Sequence, residues 1–160
     1  MLVLIRTIVY ASVFTGIVLI VLPQQILRYI GITPQETIGL LQISGIAVGL
    51  VGGTVALWCV FAFAFIGRGT PAPFDPPRCL VIRGPYRYVR NPMYIGAGMF
   101  LSGIGLYFEA PEILLYTVIL WLIVHLFIIF YEEPVLKRLF GAEYESYRNS
   151  VRRWLPGRIK

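Results

Sequence analysis

Four long apolar segments, separated by stretches carrying nearly all of the charge, dominate the chain. The first, residues 2–22, would form a helix of about 31 Å, which matches the roughly 30 Å hydrocarbon core of a bilayer. It outlasts the apolar core of a secretory leader, and no small-residue cleavage site precedes Pro23, so it reads as a membrane helix. The second, residues 38–66, would reach about 43 Å and must tilt, bend or protrude. Gly45, Gly49, Gly52 and Gly53 lie along it at spacings that favour close packing against another helix. The third is short, residues 92–107, with Asn91 placed to cap it and Pro92 to open it. The fourth covers residues 112–131. Phe108-Glu109-Ala110-Pro111 is too short a connection for anything but an antiparallel hairpin of the last two.

Pro134 cannot donate to the carbonyl of Phe130, so it is expected to end or kink the fourth helix. Beyond it, Val135, Leu136, Leu139 and Phe140 share a helical face, and after Gly141 the pattern resumes with Tyr144, Tyr147 and Val151. Residues 134–152 thus read as an interrupted amphipathic helix lying at the membrane surface. The expected fold is all-α: one domain, an integral membrane bundle of four transmembrane helices with a cytosolic amphipathic C-terminal helix.

Composition agrees with this pattern. The chain is 58% hydrophobic, 14% charged, and has a mean hydropathy of +0.76; a soluble domain carries about 25% charged residues. The net charge of +6 fits topology and anionic headgroups better than nucleic acid. Cys59 and Cys79 have neither metal-ligand nor disulfide spacing, and no metal is expected. Arg68, Arg78, Arg83, Arg87 and Arg90 lie between the second and third segments. Lys137, Arg138, Arg148, Arg152, Arg153, Arg158 and Lys160 follow the fourth, whereas Glu109 and Glu112 alone charge the hairpin turn. The positive-inside rule puts both termini and the long second loop in the cytoplasm. Three or five spans would separate the two basic clusters.

That topology brings three unusual stretches to one face: Gly67-Arg68-Gly69, the turn from Gly84 to Tyr94, and Glu132-Glu133. Each has a plain explanation alone. The glycines can end a helix, the arginines can set topology, and the glutamates can cap the helix that follows. His125, inside the fourth segment, reads best as a neutral side chain bonded across helices. Tyr107, Trp121 and Tyr131 read as interfacial anchors. Together, a paired carboxylate, an arginine-rich turn and two glycines suit a polar ligand held where lipid meets cytosol.

The stretch GPYRYVRNPMYIG from Gly84 to Gly96 resembles the signature of the integral-membrane methyltransferases that include isoprenylcysteine carboxyl methyltransferase and phosphatidylethanolamine N-methyltransferase. EEPVLKRLFGAEYESY, from Glu132, is similar to that family's second block. The resemblance covers about Gly67 to Trp154. It implies S-adenosylmethionine as methyl donor and a lipid or lipidated acceptor within the bilayer. By motif, Gly67 and Gly69 match the glycine pair of the phospholipid enzymes, and Glu132 and Glu133 their glutamate pair. Leu80, Val81, Tyr86, Asn91, Pro92, Met93 and Tyr94 match the donor-binding stretch of the carboxyl methyltransferases. The expected catalytic set is Asn91, Glu132, Glu133 and Arg90. Carboxylates can hold the donor's hydroxyls or ammonium, and tyrosine faces can attract a sulfonium methyl.

Two departures bear on the acceptor. Asn91 stands where the carboxyl methyltransferases usually carry histidine, and Ile128 stands where they carry an arginine for the acceptor carboxylate. Without a cation, a carboxylate in an apolar cleft is poorly stabilised. An amine acceptor instead needs a base, for which Glu133, Glu132 and His125 are available. A lipid amine of the phosphatidylethanolamine type is therefore preferred over isoprenylcysteine or a small thiol. A non-catalytic membrane binding or assembly protein is the alternative of another class. A transporter is disfavoured by how few polar residues lie within the spans.

Overall fold

The computed structural model describes residues 13, 16–33, 37–67 and 78–157, and every element among them is helical. The first, α1 (Ile17–Tyr29), opens with a π-turn over Ile17–Val21. Next come α2 (Leu40–Ala62), extended by a π-turn over Phe63–Gly67, and a short 3₁₀ turn, Gly84–Arg87. Then follow α3 (Pro92–Tyr107) and α4 (Pro111–Phe127). A third π-turn, Ile128–Glu132, joins α4 directly to α5 (Glu133–Ser150).

The most extensive packing is between α2 and α3, and its cause is the glycine spacing. A Cβ on Gly45 would stand 2.7 Å from the Gly103 carbonyl oxygen, and one on Gly52 would stand 2.5 Å from that of Gly96. The contact is reciprocal, because a Cβ on Gly96 would meet Gly52 and one on Gly103 would meet Gly45 and Gly49. Backbone therefore lies directly on backbone, as small residues allow between apolar helices.

The hairpin between α3 and α4 is as tight as its sequence requires. Glu109 takes the left-handed conformation (φ 50°), and the Ala110 N–H returns to the Gly105 carbonyl at 2.9 Å. Leu27 at the end of α1 packs with Ala110 and Ile113 of this turn. Gln42 near the start of α2 donates to Glu109 at 2.7 Å, and Tyr116 of α4 donates to the Val18 carbonyl of α1 at 2.9 Å. One end of the bundle is pinned by these contacts.

Among the described residues two helices are long and apolar enough to cross a membrane, Leu40–Ala62 and the continuous Pro111–Ser150. Leu50, Leu57, Phe61, Leu115, Val118, Leu122, Ile123 and Leu126 on them are all exposed. Such a broad apolar surface suits lipid, not water. α3 is shorter, 16 residues, and most of the expected first span lies outside the described residues.

Pro134 does not end the fourth helix. It sits inside a continuous one, two residues past the end of a π-turn, and Pro23 stands in the same relation to Ile17–Val21. A wider i→i+5 turn makes room for the ring that would collide with the carbonyl four residues back. The real interruption is Gly141, at φ 50° and ψ −121°, a backbone region reserved for glycine. The chain turns there. In consequence Tyr144, Tyr147 and Val151 pack on Leu80, Ile82, Leu136 and Phe140. The apolar face expected to lie on the membrane surface is covered by the chain's own long loop, although Leu139 remains exposed.

Candidate functional site

Asn91, Glu132 and Glu133 come together. They line a small recess, partly open to solvent, whose other walls are Arg90, Ile128, Leu136, Tyr144 and Tyr147. Each side chain arrives for a local reason. Arg90 and Asn91 precede α3, where Pro92 at the first helical position supplies the fixed φ that starts the helix. The glutamates end the π-turn and open α5, so they project from the junction of two helices. The two tyrosines are returned by the Gly141 bend. Tyr147 then fixes α5 to the loop by donating to the buried Tyr86 carbonyl at 2.6 Å.

The adjacent glutamates have different partners. Glu132 accepts a hydrogen bond from the Tyr94 hydroxyl at 3.1 Å. Glu133 faces two guanidiniums, with Arg90 Nη1 at 2.9 Å and Arg153 in two-pronged contact, Nε at 2.8 Å and Nη2 at 2.9 Å. Those bonds hold the Arg153 pKa above its ordinary value, and Arg90 also reaches the Tyr144 hydroxyl at 3.4 Å. Arg153 comes from the segment after α5, which folds back onto the loop. The Arg90 N–H donates to the Arg152 carbonyl at 2.9 Å, and the Asn91 amide approaches the Arg153 carbonyl at 3.5 Å.

Asn91 is thus at the N-cap position but makes no side-chain cap. Its amide is spent on the returning tail, which corrects the capping role expected of it. Nor does either glutamate cap α5, since Glu132 stands at its N-cap without a capping bond and Glu133 is committed to arginine.

Of the other expected donor-binding residues, Tyr94 joins the site through Glu132. Val81 and Tyr86 lie in a buried apolar cluster with Cys59 and Ala62, against which Met93 packs. Tyr86 meets the Phe63 ring edge-on at 5.4 Å, and burial holds its phenol above the ordinary range. Leu80 packs on Tyr144 and Tyr147, and Pro92 is buried at the start of α3. None of Leu80, Val81, Tyr86, Pro92 or Met93 lines the recess. Gly67 closes the π-turn after α2, and Gly69 lies outside the described residues.

His125 is bonded across elements, as expected. The Trp154 indole N–H donates to its Nδ1 at 3.1 Å, and Trp121 stacks on it at 5.4 Å. Trp121 also packs on Trp154 at 5.1 Å, so it braces the tail as well as facing outward. The sequence reading missed the roles of Arg153, Trp154, Tyr144 and Tyr147. Only the i, i+3 spacing of the two tyrosines hinted that this face meets something specific. Among the described residues no cluster of His, Cys, Asp or Glu could hold a metal ion.

Comparison with known proteins agrees with the motifs. The protein-family model described as phospholipid methyltransferase matches residues 40–143, well over half of the chain. No curated protein and no solved structure matches it. The matched stretch runs from the start of α2 past Gly141 and stops short of Tyr144, Tyr147 and Arg153.

Proposed function

Because the chain belongs to the phospholipid methyltransferase family, we propose that it transfers a methyl group from S-adenosylmethionine to a membrane lipid amine of the phosphatidylethanolamine type. The observation that carries this reading is the single recess lined by Asn91, Glu132 and Glu133. Its walls suit the donor, with a carboxylate for hydroxyl or ammonium groups and tyrosine rings for a sulfonium. When bound, the donor supplies an electrophilic methyl carbon, and the amine lone pair forms the new N–C bond as the C–S bond breaks. The chain's own contribution is alignment, for which positioning is worth about 7–11 kcal/mol.

Asn91, Tyr94 and Glu132 would hold the donor. Glu132 is the carboxylate not committed to arginine, so it is the group to stand beside the donor's positive charge and to take the proton the amine must lose. His125 is left out of this role, since its Nδ1 already accepts from Trp154. The match to the phospholipid methyltransferase family, together with Ile128 rather than a cation on the last apolar helix, supports the amine over isoprenylcysteine. The same reading has four spans, about residues 2–22, 38–66, 92–107 and 112–131, with both termini and the recess on the cytoplasmic side.

The test is the fate of radiolabelled methyl. Membranes containing the protein and labelled S-adenosylmethionine should place the label in the phosphatidylethanolamine-derived fraction as base-stable N-methyl. Label released by mild base as methanol would identify a carboxyl acceptor instead.

A further inference from the structure

Two guanidiniums converge on Glu133 and carry more donors than one carboxylate can use. A guanidinium has five N–H groups, and Arg153 spends Nε and one N–H of Nη2 on Glu133. Arg90 is the more telling. Its side chain is only 10% exposed, and its Nε is buried with no acceptor among the described residues. A buried charged donor without a partner is expensive to leave unmet. What the pair lacks is an oxyanion, and planar paired guanidiniums are the groups best shaped to bind one.

Position says which oxyanion. Arg153 is followed by Trp154, whose ring packs against Trp121 on the apolar α4. Trp121 is exposed on that helix, and Arg153 is 26% exposed. Arg153 is bonded to Glu133, just past the apolar run that ends at Tyr131, and so stands at headgroup depth, where lipid phosphates are. Ile128 and Leu136 next to it offer an apolar wall.

We propose that Arg90 and Arg153 form a receptor for the phosphodiester of the acceptor lipid, so that the enzyme selects phosphate-bearing amines over neutral ones. The inference rests on the methyl-transfer reading above. Arg153 lies beyond the residues that match the family. It would supply from the tail a cation that the last apolar helix, with Ile128, does not. Glu133 then acts as a positioning residue that holds both guanidiniums ready.

The experiment compares two acceptors in detergent micelles, phosphatidylethanolamine and a long-chain alkylamine without phosphate, using wild type, Arg153→Gln and Arg153→Lys. The expected result is that Arg153→Gln lowers the ratio of kcat/KM for phospholipid over alkylamine by about tenfold or more. The loss should lie mainly in phospholipid KM, and Arg153→Lys should lose less. An equal loss on both acceptors would reduce Arg153 to a structural role and overturn the proposal. Calorimetry adds a second arm: weaker binding of S-adenosylmethionine but not of its decarboxylated analogue in Arg153→Gln would assign the anion to the donor, against the proposal. If wild type methylates neither acceptor, the methyl-transfer reading is what fails. The receptor is then decided by titrating a phosphodiester lipid that carries no amine and following tryptophan fluorescence. Saturation in wild type and not in Arg153→Gln supports it; matching curves overturn it.

Discussion

Replacing Glu133 by glutamine removes the one negative charge that stands between Arg90 and Arg153 and leaves their positions otherwise unchanged. The carboxylate is 13% exposed and Arg90 is 10% exposed, so this pair lies mostly out of water, while Arg153 at 26% keeps partial access to it. Breaking a buried pair by deleting one partner costs about 3–5 kcal/mol. Arg153 can recover some hydration, which places the cost at the lower end, about 3 kcal/mol. At roughly 2–4 °C per kcal/mol for a chain of this size, Tm should fall by about 6–12 °C. Glu132→Gln is the matched control. Tyr94 keeps an oxygen to donate to, so the cost should stay below about 1 kcal/mol. Thermal unfolding of the purified protein in detergent, followed by tryptophan fluorescence, reads both variants, and Trp154 adjoins Arg153 in the tail that should loosen. Equal Tm shifts in the two variants would refute the division of labour between the glutamates.

The other expectations concern packing and sidedness. Gly103→Ala would put a Cβ 2.6 Å from the backbone of Gly45 and Gly49, so it should destabilise by about 1–3 kcal/mol through overpacking. Gly98→Ala meets nothing within 4 Å and should be neutral or stabilising by up to about 1 kcal/mol. The same unfolding assay checks the contrast, and equal effects would remove the glycine seam as the reason α2 and α3 meet. Cys79 is exposed and Cys59 fully buried. A membrane-impermeant maleimide should therefore label Cys79 in inverted vesicles and not in intact cells. Labelling from the outside would reverse the proposed topology.

Much of this architecture was legible because its causes are short-range in sequence. The α2 glycines announced a close helix contact, and the four-residue link at Glu109 allowed only a hairpin. The meeting of Asn91 with Glu132 and Glu133 followed from connectivity and charge alone. What was not legible depends on backbone choices that periodicity does not encode. A proline reads as a helix end unless a π-turn before it absorbs the ring, which is what precedes Pro134. Gly141 read as an interruption, but nothing in its neighbours gave the direction of the turn, and that direction sends Tyr144 and Tyr147 into the site. Arg153 was counted as a topology charge. Its place beside Glu133 depends on the Arg90 to Arg152 backbone bond, made between loops distant in sequence. Asn91 looked like a cap for the same reason, because its competing partner is a carbonyl of that tail.

The proposed function requires Glu132 to face the methyl donor inside the recess it shares with Asn91. Calorimetric titration of wild type and Glu132→Gln with S-adenosylmethionine and with its demethylated product measures this directly. Wild type should bind both, the product at least as well as the donor. Glu132→Gln should bind the donor about tenfold or more weakly, with its melting temperature nearly intact. Undiminished donor affinity in a folded Glu132→Gln protein would take the carboxylate out of the site and contradict the account.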